Sequence, residues 1–421
     1  MTTATAFHDK AVGKLRLARL LATRFATVGD QMLVALANFW LTVAIGRAFH
    51  AEELAAYGIG LSAGLMVQAL QRHAIIIPLM LEPKARVFRR YGAMIGQHWI
   101  ILGVSLAILV PGLAAASELG VPAYGQQIIA ASGACLIVYS ELEFARAIFI
   151  KLERPFSMLA GSAFYVGLCG VLGLGALTHQ LDFMQLLALM TAAMMLHAVG
   201  VSIQVGSLSL ARGWMLLRSN MNRYGVWSLM ATVTNGGYIH FPLFLLGSLA
   251  APIHAAAYVA TRSLMQPLQI LLRGLDLADK AAFAETSSSP HSYAAFVASI
   301  KLAGLYFIAG GVFSIAIALF AEPLLQLTYG PKFAEAGHTL IAWGPVFILL
   351  GCSMPLESLV YARRHFKGYY FARAVGSVAA IALTAPLVLR FMEVGAIVAC
   401  AIGGLIAVSG SILLLYKDTA R

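Results

Sequence analysis

Apolar runs of about 20 residues recur along the whole chain, each long enough to cross a hydrocarbon core of roughly 30 Å as a helix. We read twelve of them, at 26–46, 55–80, 93–116, 126–149, 157–177, 183–206, 226–248, 253–274, 294–319, 338–361, 369–389 and 394–416. Only 11% of residues are charged, against roughly 25% in water-facing domains. The expected fold is therefore an all-α integral membrane protein of about twelve transmembrane helices.

Cytoplasmic loops carry an excess of Lys and Arg, and that rule fixes the orientation. With both termini inside, 22 of the 29 bases fall on the cytoplasmic side and three on the outer side, Arg47, Lys332 and Arg390. The remaining four, Arg72, Arg146, Arg262 and Lys301, lie within spans. The net charge of +11 thus belongs to loops facing anionic lipid headgroups, and no nucleic-acid partner is expected. Residues 1–25 interleave Lys10, Lys14, Arg16, Arg19 and Arg24 with Val12, Leu15 and Leu20. They read as a basic amphipathic tail on the inner leaflet rather than a cleavable signal peptide.

The stretch 207–225, with Arg212, Trp214, Arg218 and Arg223, reads as a cytoplasmic linker. It divides the chain into six-helix lobes at 26–206 and 226–416, followed by a tail at 417–421. Ala55-Ala56-Tyr57, Ser62 and Gln68 match Ala256-Ala257-Tyr258, Ser263 and Gln269 at a single offset of 201 residues. Six plus six helices implies a parallel repeat, with its axis along the membrane normal.

No GxxxxGK[ST] phosphate loop and no HExxH or clustered Cys/His spacing is present, so neither an ATP site nor a metal site is expected. Cys135, Cys169, Cys352 and Cys400 lie singly in apolar runs and read as core residues. No connection between spans offers room for an aqueous catalytic domain. The chain is expected to be neither an enzyme nor dependent on a cofactor.

A charge in mid-membrane costs a few kcal/mol, so it normally faces protein or a water-filled cavity. Gln68 and Arg72 share a face of the second span, and Arg262, Gln266, Gln269 and Arg273 fall at i, i+4, i+7 and i+11 of the eighth. Such stripes are expected to face each other across a central cavity. Guanidinium groups suit phosphate because they bind its oxygens bidentately. The plainer reading is that long cations near helix ends snorkel, as Lys301 would. Glu141, Glu143 and Arg146 cluster on the fourth span. Glu143 and Arg146 can pair at i, i+3, whereas an unpaired Glu141 or Glu143 can bind a coupling proton or sodium ion.

Three passages carry a family likeness: Gly29-Asp30-Gln31 through Ala44-Ile45-Gly46-Arg47 to Glu53–Gly58, then Ala257–Leu264, then Glu322–Ala336 with its Tyr329-Gly330. They resemble the Wzx-type polysaccharide exporters of the multidrug/oligosaccharidyl-lipid/polysaccharide (MOP) flippase superfamily. The resemblance implies two lobes alternating around a cationic cavity in a bacterial inner membrane. It implies a lipid-linked oligosaccharide, borne on undecaprenyl pyrophosphate, as cargo flipped outward for exopolysaccharide assembly, with a glycan polymerase as partner. Arg262 and Arg72 would then meet the pyrophosphate, with Gln266, Gln269, Arg146 and Lys301 in support. An ion-coupled small-molecule antiporter, in which Glu141, Glu143 or Asp30 matter more, stays open, as does a membrane enzyme or scaffold of a glycan pathway.

Overall fold

The computed structural model describes residues 3–81, 84–268, 272, 293–363 and 366–419, which are helical apart from short turns, with no strand among them. In order these are α1 (Thr3–Ala48), α2 (Ala51–Gln71), a π-helical turn (Arg72–Ile76), α3 (Ile77–Leu81), α4 (Lys84–Glu118), α5 (Ala123–Lys151), α6 (Pro155–Leu177) and α7 (Phe183–Val205). The second half holds α8 (Leu210–Leu249), α9 (Pro252–Leu264), α10 (Tyr293–Leu319), α11 (Ala321–Tyr329), a 3-10 turn (Pro331–Ala336), α12 (Gly337–Arg363) and α13 (Phe366–Thr419). Among the described residues nine helices are long and apolar enough to cross a bilayer. One of them, within α13, reverses at Met392 (φ 49°, ψ −128°) and so forms two spans. With α8 and α9 the total is twelve.

Helix ends follow local chemistry. Asp182 accepts from the Gln185 amide at 2.8 Å while the Gln185 side chain accepts from the Asp182 amide at 3.1 Å, a reciprocal cap that starts α7. Gly206 at φ 87° ends it. The π-turn follows from Pro78, which has no N–H to offer the carbonyl four residues earlier, so the backbone widens there to re-pair. Ile108, Val171, Leu196, Ile308, Val312 and Ile315 are exposed and apolar, a girdle suited to lipid.

Within the first half α2 packs on α5, α1 on α6 and α5 on α7; within the second, α13 packs on α8 and α12, and α10 on α12. Elements α2, α4 and α1 contact α8, α9 and α11 across the halves. The matched tyrosines of the repeat, Tyr57 and Tyr258, are both fully buried. Two expectations change in form. Residues 210–225 are helical and continuous with the seventh span. The eighth span is not one helix over 253–274: α9 stops at Leu264, because Pro267 cannot donate to the Ser263 carbonyl.

Candidate functional site

Helix α5 is a hub whose charged side chains reach different neighbouring helices. At 100° per residue, Glu141 points away from the side shared by Glu143 and Arg146. Glu143 accepts from Arg72 at 2.5 Å, at the π-turn of the second span. Arg146 pairs with Asp30 of α1, whose other carboxylate oxygen accepts from Ser162 of α6. Glu141 is fully buried between His98 Nε2 of α4 at 2.6 Å and His197 Nδ1 of α7 at 2.8 Å. The expected Glu143–Arg146 pair along the helix therefore does not form. Each side chain finds a partner on an adjacent helix, which spacing along one helix cannot foresee.

Arg262 stands apart. It lies ten residues into α9 from Pro252, about 15 Å along the helix at 1.5 Å per residue. Among the described residues no carboxylate pairs with it; its guanidinium sits over the Trp343 ring of α12, 5.8 Å from the centroid. Trp343 is held by its indole N–H to Thr261 at 3.1 Å and by edge contact with Tyr258 at 4.7 Å. Tyr258 in turn donates to the Ile239 carbonyl of α8 at 3.3 Å. On α8, His240 Nδ1 is buried without a hydrogen-bond partner among the described residues. The ring contact is worth about 0.5–2 kcal/mol, less than the roughly 2.5–3.5 kcal/mol of placing an arginine at mid-span. An anion at this guanidinium would add charge-assisted hydrogen bonds to the ring contact.

The other expected site residues are dispersed. Gln266 is half-buried just beyond the end of α9, and Gln269, with Arg273, lies outside the described residues. Gln68 is buried and shares the α5-facing side of α2 with Gln71, so no polar stripe of α2 meets α9. Lys301 is exposed on the face of α10 that carries Leu305, Ile308 and Val312, so it reaches along lipid rather than toward Arg262. Arg146, held by Asp30 inside the first half, is likewise not brought to Arg262. Glu357 is paired with Arg373 at 3.0 Å and Tyr369 at 2.7 Å.

At their outer ends the halves are in close contact. A Cβ on Gly58 of α2 would lie 2.0 Å from Val259 of α9, and one on Gly46 would lie 2.6 Å from the Tyr329 ring. Arg47 donates from Nε to the Thr328 carbonyl at 2.7 Å and also reaches the Leu327 carbonyl, at the end of α11. Lys332 donates to the Phe49 carbonyl just past α1 at 2.6 Å. Each half thus caps a helix C-terminus of the other with a cation, where the helix dipole favours one. Sequence reasoning saw Arg47 and Lys332 as exceptions to the charge rule and as parts of the family likeness, not as a pair of caps between the halves. It also missed His98 and the outer cluster of Glu393 with His254 (2.5 Å), Thr339 (3.2 Å) and His338 (3.7 Å).

No family model and no curated protein sequence matches the chain. Solved structures do. The lipid II flippase MurJ in an inward-closed conformation superposes with a TM-score of 0.67 at 14% identity, over 95% of this chain and 89% of that one. An inward-facing multidrug resistance MATE family transporter of the MOP superfamily gives 0.64 at 13% identity, over 94% and 98%. A MOP superfamily transporter from Pyrococcus furiosus gives 0.60 at 13% identity, over 96% and 95%. The chain shares the fold of these solved structures. In this fold α2 of the first half and α9 of the second meet at their outer ends through small residues, Gly58 against Val259. Arg262 lies below that contact, on the segment of α9 that leads from the outer end to the break at Met265.

Proposed function

We propose that the protein is an alternating-access transporter that moves a lipid-linked oligosaccharide, through its pyrophosphate, from the inner to the outer leaflet of a bacterial inner membrane. The observation that carries this reading is Arg262: a mid-span guanidinium with no carboxylate partner among the described residues, poised over Trp343. A pyrophosphate supplies paired anionic oxygens that match a guanidinium. Arg72, half-exposed at the inner end of the second span, would meet the headgroup first and Arg262 would receive it deeper. The outer-leaflet product would then feed a glycan polymerase.

A second reading has its own observation. Asp30 and Glu141 are buried acids in the first half, as an ion-coupled small-molecule antiporter would need. Asp30 is already neutralised by Arg146, which favours the anionic cargo. Flipping of a fluorescent undecaprenyl-pyrophosphate oligosaccharide by purified protein in proteoliposomes tests the choice. Wild-type protein is expected to flip it and Arg262→Ala to flip it at least tenfold more slowly, with equal reconstitution. Uptake of organic cations by both proteins, with no lipid flipping, would select the antiporter.

A further inference from the structure

The buried group around Glu141 has no part in holding a pyrophosphate, yet it is the most densely titratable place in the described membrane interior. Its three members come from three spans: His98 from α4, Glu141 from α5 and His197 from α7. Their side chains are 2%, 0% and 11% exposed, respectively. Phe144 stacks on His98 at 4.1 Å and Phe164 on His197 at 5.5 Å, so both rings are fixed in orientation. Among the described residues the cluster is continued by hydrogen bonds to Gln71 from α2 and on to the Ser140 carbonyl of α5. Elsewhere on α5 the described charged groups are the Arg72–Glu143 and Arg146–Asp30 pairs.

The hydrogen bonds define one protonation state. Gln71 has two amide hydrogens, one given to the Ser140 carbonyl at 3.1 Å and the other directed at His98 Nδ1 at 3.3 Å. His98 Nδ1 must then be an acceptor, so its proton sits on Nε2 and is donated to Glu141. In that state His98 is neutral and the carboxylate has a donor on each oxygen. Adding a proton at His98 Nδ1 opposes two donors, the ring N–H and the Gln71 amide. The Gln71 Oε1 atom is buried without a partner among the described residues. Rotating the amide would turn Oε1 onto the new N–H, but it would also set an oxygen against the Ser140 carbonyl and break that tie to α5. Gln71 is the last residue of α2 before the π-turn, and Arg72 is the first residue of that turn.

We propose that Glu141, His98 and His197 form a proton-binding site whose loading is read by Gln71 and passed to Arg72 through the π-turn. The proton comes from water and returns to it, with no other bond made or broken. Loading would free α2 from the Ser140 carbonyl and shift Arg72 against Glu143, changing its hold on an anion. Transport enters only as the use made of this shift; the site itself is tested without any cargo, so its failure and the failure of the flippase reading are distinguishable.

Full-length protein in lipid nanodiscs carries an environment-sensitive fluorophore at Met80→Cys, an exposed position on α3 beyond the π-turn; the four native cysteines are buried. Histidine-labelled samples are followed by NMR across about pH 5–8, the range histidine covers. Wild-type protein is expected to show His98 and His197 titrating together, with one sigmoidal change in emission at the same midpoint. Glu141→Gln and His98→Gln should each lose the emission change while remaining folded. Gln71→Leu should keep the histidine titration and lose the emission change. Histidine signals at positions 98 and 197 that stay constant across the range would overturn the site. An emission change that survives in Gln71→Leu would overturn the transmission through Gln71.

Discussion

Arg146 and Arg262 are both intramembrane guanidinium groups, and their partners make them respond differently to truncation. Arg146→Ala leaves the Asp30 carboxylate buried with Ser162 as its remaining hydrogen-bond donor, a loss on the order of 3–5 kcal/mol when one member of a buried pair is removed. Detergent-solubilised Arg146→Ala is expected to show a lower melting temperature and reduced yield. Asp30→Asn combined with Arg146→Met should recover most of both, because the double change removes both charges. Arg262→Ala orphans no acid among the described residues, so its melting temperature should match or exceed that of the wild type. Arg262→Lys should flip lipid-linked cargo at an intermediate rate, since an ammonium keeps charge without the bidentate fork. A destabilised Arg262→Ala would point to an acid partner and against an anion site. Arg262 was legible in the sequence because a charge at mid-span is conspicuous on its own. The bonds to Asp30 and between His98 and Glu141 were not, because they join residues 116 and 43 positions apart, and no helical period reports such pairs.

At the scale of elements, the outer closure rests on Gly58 against Val259 and on the exchanged cations Arg47 and Lys332. Gly58→Leu places a branched side chain where the Cβ alone would already be 2.0 Å from Val259, so α2 and α9 must separate. Arg47→Ala with Lys332→Ala removes three hydrogen bonds between the halves, each worth about 0.5–1.5 kcal/mol net or more with a charged donor. In both variants a cysteine at buried Ser263 should react faster with an impermeant thiol reagent from outside than in wild-type background. An unchanged rate would mean that these contacts do not hold the outer end shut. The elements themselves were readable from periodicity, and the reversal between the last two spans falls at Met392, inside the expected gap. The end of α9 at Leu264 was not readable, because hydropathy continues across Pro267 whether or not the helix does.

For the whole molecule, an even number of spans returns the two ends of the described helices to one face, and the distribution of Lys and Arg makes the cytoplasm the expected one. Reporter fusions after Lys151 and Arg218 should score cytoplasmic, and fusions near Glu118, His179 and Lys332 should score periplasmic. Two neighbouring fusions on the wrong side would undo the twelve-span arrangement. The pairing of the halves lay beyond sequence: six helices and six helices follow from hydropathy, but not which faces meet.

The continuity of α8 has a consequence for how this chain can change. Its 40 residues extend about 60 Å at 1.5 Å each. The near end lies on α4, where a Cβ on Gly213 would come within 2.4 Å of the Gln97 amide, and the far end belongs to the second half. A single-residue insertion between them would turn every later side chain of α8 by about 100° and advance it 1.5 Å, taking Gly237 off Ser377 and Gly247 off Ile59. Single-residue length changes there should therefore be poorly tolerated, so that what reads as a loop in the sequence behaves as a ruler with a phase.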